Sequence, residues 1–395
     1  MALLLVKLST SNYRCLADLS LELRPINVFF GANGSGKSTI LDAIWFFRDC
    51  AINGVLDASA KRGHGIGLLW EGAGEGEPLT VSLATDEVEY TLNFGLSTGR
   101  IDPFAGEMLR SIGSNRVLIE RKTGSDKATL YHHEIQQHVP VTLREPEKLS
   151  LGMYLDFNPR DHEAAELDRI LHFVRLYHTR SFDFRWLKYK GSDVGHEWRL
   201  EGWGRNAWSV LRNLHDRRSV DSRYDTIIKY MTASFPTFKG LLLEQTGPTT
   251  VYAQFLRPGG AKPLYASGAS DGHLQLLLLL TVLFSEGHGR QAVLLIDEPE
   301  LSLHPHALAV FAQAVQEAAA WGKQVLIATH SPALLSQFDP TETLATSLPQ
   351  GRTEVKRLSD IDDLKDLLQE YPTGSLYMSE VVGAQTNAIA ELEGG

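Results

Sequence analysis

Four short stretches carry residues whose types and spacing could handle a nucleoside triphosphate. The first, Gly31-Ala32-Asn33-Gly34-Ser35-Gly36-Lys37-Ser38-Thr39, fits the phosphate-loop spacing G-x-x-x-x-G-K-[ST]. Its glycines let backbone N–H groups turn inward around phosphate oxygens. Lys37 adds a point charge toward the terminal phosphates, and the Ser38 hydroxyl can ligate Mg²⁺. The second, Val293-Leu294-Leu295-Ile296-Asp297-Glu298, is an apolar run that ends in two carboxylates. Asp297 is placed to hold Mg²⁺ through its water shell, and Glu298 to polarise an attacking water, which requires a group that accepts or orients a proton. The third, Thr329-His330-Ser331-Pro332, comes after another apolar run, so His330 can reach a γ-phosphate from a strand end. The fourth, Ser267-Gly268-Ala269-Ser270-Asp271-Gly272-His273, opens an apolar helix. A serine and a glycine at a helix N-terminus make an anion site, although alone they also suit a simple N-cap.

These residues need elements to position them. Residues 25–30 read as a short buried strand, and Ile40, Leu41, Ile44 and Trp45 recur at helical spacing after the glycine loop. Strand, loop and helix in that order aim the helix N-terminus at the phosphates. The apolar runs 292–296 and 324–328 read as buried parallel strands. The helix 306–321 between them, stopped by Gly322, gives βαβ spacing. Residues 3–6 and the alternation through Leu19, Leu21 and Leu23 suggest two N-terminal strands, with Asn12-Tyr13-Arg14 in the turn. The phosphate-loop helix is expected to end near Asp49, and residues 50–65 read as a loop. Period-two alternation from 66 to 135 predicts an antiparallel meander, while 138–158 gives no clear pattern. Helices are expected over 162–178, with Leu167, Ile170, Leu171 and Val174 as the apolar stripe, and over 206–214, 224–231 and 272–284. Strands are expected over 241–243 and 251–255, with a turn at 258–260.

Composition describes an ordinary globular chain: 395 residues, 43% hydrophobic and 22% charged. Two cysteines, Cys15 and Cys50, fit a reducing cytosol better than a disulfide scaffold. The N-terminal apolar run is too short for a signal peptide, and the run 274–284 is too short to span a bilayer. A cytoplasmic protein without membrane contact is the expectation. A net charge of −10 supplies no global attraction to nucleic acid, so such binding would need a local basic patch. No heptad run, repeat or low-complexity linker occurs, which excludes a long coiled-coil arm.

The order of the four stretches resembles the heads of ABC-type ATPases, specifically the SMC/RecF/OLD branch, and within it compact AAA-type ATPases without a coiled coil or a Toprim domain. Asn12-Tyr13-Arg14 with Leu16 and Leu19 looks like their N-terminal strand-turn. Ser270-Asp271-Gly272 stands where they carry S-D-G and where transporters carry LSGGQ. Asp297-Glu298-Pro299-Glu300 with Leu303-His304-Pro305 matches their D-E-P-E-x-x-L-H-P, and Gly374-Ser375-Leu376-Tyr377 looks like part of their tail. The resemblance implies an α/β P-loop fold with an antiparallel β subdomain. Residues 1–160 would form one ATPase lobe, 161–236 a helical insertion in place of the arm, and 237–395 the second lobe. It implies ATP and Mg²⁺ as cofactors and a homodimer that sandwiches two ATP molecules. One protomer would contribute Gly31, Asn33, Gly34, Ser35, Gly36, Lys37, Ser38, Thr39, Asp297, Glu298 and His330. The other would contribute Ser270 and Gly272 in trans, with residues 299–305 at the seam. Arg14 reaches the nucleotide by the same analogy. Asp271 and His273 depart from the transporter signature. A glutamine is expected between the phosphate loop and the signature, and Gln136 and Gln137 lie at a suitable separation without local support.

The motifs describe a motor and leave its load open. The hydrolysis could drive DNA transactions in repair, or control a partner nuclease or other effector in anti-phage defence. Alternatively, the chain is an ATP-gated scaffold that hardly hydrolyses. The stretch 180–190 interleaves Arg180, Arg185, Lys188 and Lys190 with Phe182, Phe184, Trp186 and Tyr189. It could stack bases and neutralise phosphates, or cover the core with its aromatics. His162-Glu163-Ala164-Ala165-Glu166 lacks the second histidine of a zinc-protease helix and reads as surface. Asp360-Ile361-Asp362-Asp363 has the look of a two-carboxylate metal pair, but the short stretch after His330 is too small for a nuclease domain. Ser359 or Asp360 reads as the N-cap of a helix over 364–368.

Overall fold

The runs Ile26–Gly31 and Gln324–Thr329 are buried at every residue, as strands between two covering layers must be. In the computed structural model, which describes residues 4–97, 99–286, 292–361 and 373–374, they lie at the centre of a six-stranded sheet. Its order is Val174–His178, Val293–Asp297, Gln324–Thr329, Ile26–Gly31, Thr343–Ser347, Glu354–Arg357. The first five strands run parallel and the last is antiparallel. Side chains alternate across a strand, so each run feeds two cores. Val28, Phe30, Leu294, Ile296, Val325 and Ile327 point into one core. Phe29, Val293, Leu295, Leu326 and Ala328 point into the other.

The first core is helical. Asp271–Phe284 is buried at every position from Leu274 to Phe284, so it is apolar all round and sits inside the layer. Pro305–Ala320 and Arg223–Ser234 pack beside it. The second core holds the phosphate-loop helix Lys37–Asn53, whose Phe46 and Phe47 touch Tyr13, Phe94 and Tyr90 of the neighbouring sheet. That sheet is antiparallel and eight-stranded, built from Lys7–Tyr13, Leu16–Glu22 and six strands between Leu79 and Thr142. Burying each such ring contributes about 1.5–3 kcal/mol, so this helix is clamped between the two sheets. The mixed α/β fold with its antiparallel subdomain agrees with expectation.

Local departures have physical causes. The first strand is Lys7–Tyr13, beyond residues 3–6, because its pairing with Leu16–Glu22 and Leu79–Ala84 sets its limits. The phosphate-loop helix continues past Asp49 to Asn53, where Gly54 at φ 88° ends it by donating to Cys50 O. Residues 50–65 are therefore largely helical, with Val55–Ala60 as a second short helix. The unpatterned stretch 138–158 contains the strand Gln137–Thr142 and the helix Leu151–Phe157. Most consequential is 162–178, which divides into a helix, His162–His172, and the edge strand Val174–His178 of the parallel sheet. The helical spacing of Val174 is coincidental, since its partner is Val293 on the neighbouring strand. The stretch 161–236 thus supplies a core strand as well as helices. The expected helix 364–368 and the tail motif beyond Gly374 lie outside the described residues. Among those residues, no helix is long and apolar enough to cross a membrane.

Candidate functional site

In an open parallel sheet, ligands bind beyond the carboxyl ends of the strands. Register sets what stands there: His178 pairs with Asp297, Asp297 with Ala328, Ala328 with Phe29, and Gly31 with Thr346. The phosphate loop emerges from this edge. Gly34 and Gly36 hold φ values of 78° and 99°, the left-handed region open to glycine. A Cβ on Gly36 would lie 2.1 Å from Thr353 Oγ1. Two threonines brace the loop: Thr346, in the strand Thr343–Ser347, has Oγ1 2.6 Å from Ser35 Oγ, and Thr353, just before the strand Glu354–Arg357, donates its Oγ1 to Ser35 O at 3.1 Å.

A cleft of about 280 Å³ opens over the loop, lined by Asn33, Gly34, Gly36, Lys37, Ser38, Thr39, Arg180, Glu298 and His330. Lys37 is only 4% exposed, and its Nζ donates to Gly31 O at 3.0 Å and Ala32 O at 2.8 Å. Burial lowers its pKa to about 8, against the opposing pull of Asp297, Glu298 and Glu300. Ser38 Oγ donates to Asp297 Oδ1 at 2.9 Å. His178 Nδ1 lies 3.1 Å from Asp297 Oδ2, a contact that raises the imidazole pKa. Glu298 sits at φ 55°, a strained setting for a residue with a side chain. Its N–H donates to Ala328 O at 2.8 Å. Its carboxylate accepts from Arg180 Nη2 at 2.7 Å, and Arg180 Nε forms an ion pair with the second oxygen. Thr179 Oγ1 donates to Asp297 O at 3.0 Å and also reaches Glu298 O. Glu300 accepts the His330 N–H at 2.7 Å, and burial raises its pKa. Burial and the Lys37 charge both lower that of His330. The cleft can therefore surround an anion with a cation and N–H donors, while one carboxylate beside a hydroxyl can hold a divalent cation.

The structure brings Asn33, Gly34, Gly36, Lys37, Ser38, Thr39, Glu298 and His330 to one cleft, with Asp297 hydrogen-bonded to Ser38 beside it, while Gly31 and Ser35 of the loop do not line it. Ser270 and Gly272 do not line that cleft in their own chain. Ser270 caps the helix by accepting the His273 N–H at 3.3 Å, and its exposed hydroxyl lies 2.6 Å from His273 Nδ1. The segment 299–305 packs under this corner: Gln275 Nε2 donates to Pro299 O at 3.4 Å, and a Cβ on Gly272 would meet Ser302 O at 2.7 Å. Arg14 is also absent from the lining and pairs with Asp42 at 3.1 Å on the phosphate-loop helix. Its neighbour Cys15 reaches Thr39 Oγ1 at 3.6 Å. Gln136 and Gln137 stand at the outer edge of the eight-stranded sheet, away from the cleft. The strand end beside Asp297 carries His178, Thr179 and Arg180 instead. Sequence reasoning misses His178 and Thr179 because it extends the preceding helix toward them. The Val174, Leu176, His178 alternation is the signal that could have found them. Arg180 belongs by sequence to the basic-aromatic stretch, yet it faces Glu298.

The chain is similar to known proteins in sequence and in fold. A family described as "AAA domain, putative AbiEii toxin, Type IV TA system" matches residues 26–336. Two curated relatives match over 41 residues each. One is a DNA double-strand break repair Rad50 ATPase of Halobacterium salinarum, 51% identical over 10% of this chain and 5% of its own length. The other is an OLD nuclease of Thermus scotoductus, 49% identical over 10% of this chain and 8% of its own length. The chain thus aligns with under a tenth of either relative's length. Among solved structures, an SMC head bound to the C-terminal winged-helix domain of ScpA aligns with TM-score 0.55 and 15% identity, over 89% of this chain and 97% of that one. An SMC head with an extended coiled coil, bound to the C-terminal domain of ScpA derived from Pyrococcus furiosus, gives TM-score 0.50 and 13% identity, over 93% and 99%. With a family match across most of its length, this chain belongs to the AAA-domain family described as "putative AbiEii toxin, Type IV TA system", and its fold is similar to that of SMC heads.

Proposed function

We propose that this protein is a Mg²⁺-dependent ATPase head whose two copies close over two ATP molecules and reopen on hydrolysis. One observation carries the reading: Ser38 Oγ and Asp297 Oδ1 meet at 2.9 Å beside a desolvated Lys37 in a glycine cradle. A buried amine resting on loop carbonyls, beside a hydroxyl-carboxylate pair, fits a triphosphate and a small hard cation. Mg²⁺, when bound, neutralises charge on the phosphates, and Ser38 and Asp297 would hold it. Lys37 and the loop N–H groups bind the β- and γ-phosphates. Glu298 orients the attacking water and accepts its proton. His330, with its backbone N–H fixed by Glu300, sits where the γ-phosphate is gained or lost. Ser270, exposed at a helix start, and the half-buried Gly272 complete the phosphate site of the opposite copy. ATP then links two surfaces that are apart without it.

The test is Glu298→Gln. Turnover falls by about 100-fold or more, ATP is retained, and light scattering reports an ATP-dependent dimer. Turnover equal to wild type would overturn the role of Glu298, and a monomer at every ATP concentration would overturn the sandwich.

The coupled process is a DNA transaction or control of a partner effector, and one observation favours DNA. Asp183, Arg185, Trp186, Tyr189 and Lys190 line a second cleft. Arg205 lies 4.7 Å from the Trp186 ring and 5.5 Å from that of Trp203. Tyr189 and Trp203 are more than half exposed, as stacking platforms for bases require. Lys188 is drawn away from this role by its 2.7 Å pair with Asp271. The relatives named for break repair and for nuclease activity agree with either load.

A further inference from the structure

Among the described residues, Arg180 is the one arginine lining the phosphate-loop cleft, and it is spent on the carboxylate that the proposed chemistry needs. Its Nη2 donates to one oxygen of Glu298 at 2.7 Å and its Nε pairs with the other. A carboxylate with one oxygen accepting from a guanidinium and the other held in ion-pair contact with it is poorly placed to orient a water. The pair is not locked. The Arg180 side chain is 71% exposed, whereas Glu298 is 16% exposed, so the arginine is the partner free to swing. The backbone that carries it is fixed, because Thr179 ties the end of its strand to the carbonyls of Asp297 and Glu298. Within the described cleft, the other cation is Lys37, which is buried under the loop.

We infer that Arg180 is the γ-phosphate reader of its own protomer: a terminal phosphate entering the cleft draws the guanidinium off Glu298, which frees that carboxylate to orient water. A γ-phosphate carries more charge than a single carboxylate and offers several acceptor oxygens, so it outcompetes Glu298 for the same fork of N–H donors. ADP lacks that group and leaves the Arg180–Glu298 pair intact. The guanidinium then stands where negative charge accumulates on the transferring phosphoryl group, the position in which an arginine accelerates phosphoryl transfer. This inference rests on the ATPase reading above.

The test compares ATP and ADP binding, by calorimetry with Mg²⁺ on the full chain, for wild type, Arg180→Ala and Arg180→Lys. In Arg180→Ala the preference for ATP over ADP falls by about tenfold or more, while ADP affinity stays within about twofold. Turnover falls by about 100-fold, and affinity for ADP with aluminium fluoride falls in parallel. Arg180→Lys recovers ATP preference more than turnover, since an ammonium supplies charge without the fork. An unchanged ATP-to-ADP ratio in Arg180→Ala overturns the inference, as does a rise in turnover, which would make Arg180 only a restraint on Glu298. If wild type binds neither nucleotide, the ATPase reading fails instead, so the two failures are distinct.

Discussion

Replacing Gly36 by alanine tests the phosphate-loop geometry most directly. At φ 99° an L-residue meets its own carbonyl, which costs about 1–2 kcal/mol. The new Cβ would also lie 2.1 Å from Thr353 Oγ1, 2.9 Å from its Cγ2 and 3.0 Å from its Cβ. Thr353 cannot easily retreat: it is 4% exposed, its hydroxyl donates to Ser35 O at 3.1 Å, and its N–H donates to Cys15 O at 2.8 Å. Forced overpacking of this kind costs about 1–3 kcal/mol, so Gly36→Ala should lose about 2–5 kcal/mol in total. Chemical denaturation of Gly36→Ala, Thr353→Ala and the double variant gives the cycle. Removing the Thr353 hydroxyl and methyl relieves the two shortest contacts, so the double variant should recover about 1–3 kcal/mol of coupling and keep the backbone strain and the 3.0 Å contact with Cβ of residue 353. ATP affinity should track the same order, because the strained loop no longer aims its N–H groups at phosphate. A Gly36→Ala protein within about 0.5 kcal/mol of wild type, or a cycle without coupling, would refute both the loop conformation and its bracing by Thr353.

Other parts of the structure supply two further tests. Ser270→Arg places a long cation at an exposed helix start, so it should abolish ATP-dependent dimerisation while leaving monomer ATP affinity within about threefold. Sedimentation with and without ATP decides it, and an unaltered dimer removes Ser270 from the interface. Burial lowers Lys323 to about 7 from 10.5, with Nζ donating to the carbonyls of Leu283 and Glu286. Between those values the unfolded chain holds more protons than the folded one, so this lysine makes stability rise with pH across that window. The denaturation midpoint of wild type should therefore rise relative to that of Lys323→Met between about pH 7 and 9. A parallel pair of curves contradicts the burial argument.

Sequence alone determined the chemistry that local chain order controls. The phosphate loop must lie between a strand and a helix, so Gly31 through Thr39 could be read from contiguous residues, and the apolar runs ending at Asp297 and His330 declared themselves parallel strands by having no polar face. Residues 161–178 were less legible. Val174 satisfies a helical stripe and a strand alternation equally, and only pairing with Val293 on the next strand decides between them. That tertiary choice turned a helix end into the sheet edge that delivers His178 to Asp297 and Arg180 to Glu298, contacts between residues 119 and 118 positions apart. It likewise set Thr346 and Thr353 against a loop more than 300 residues earlier, at separations of 311 and 318. Motif chemistry is local and survives in the linear order. The partners that restrain it are chosen by strand register, which depends on hydrogen bonding between segments with no sequence signal of their proximity.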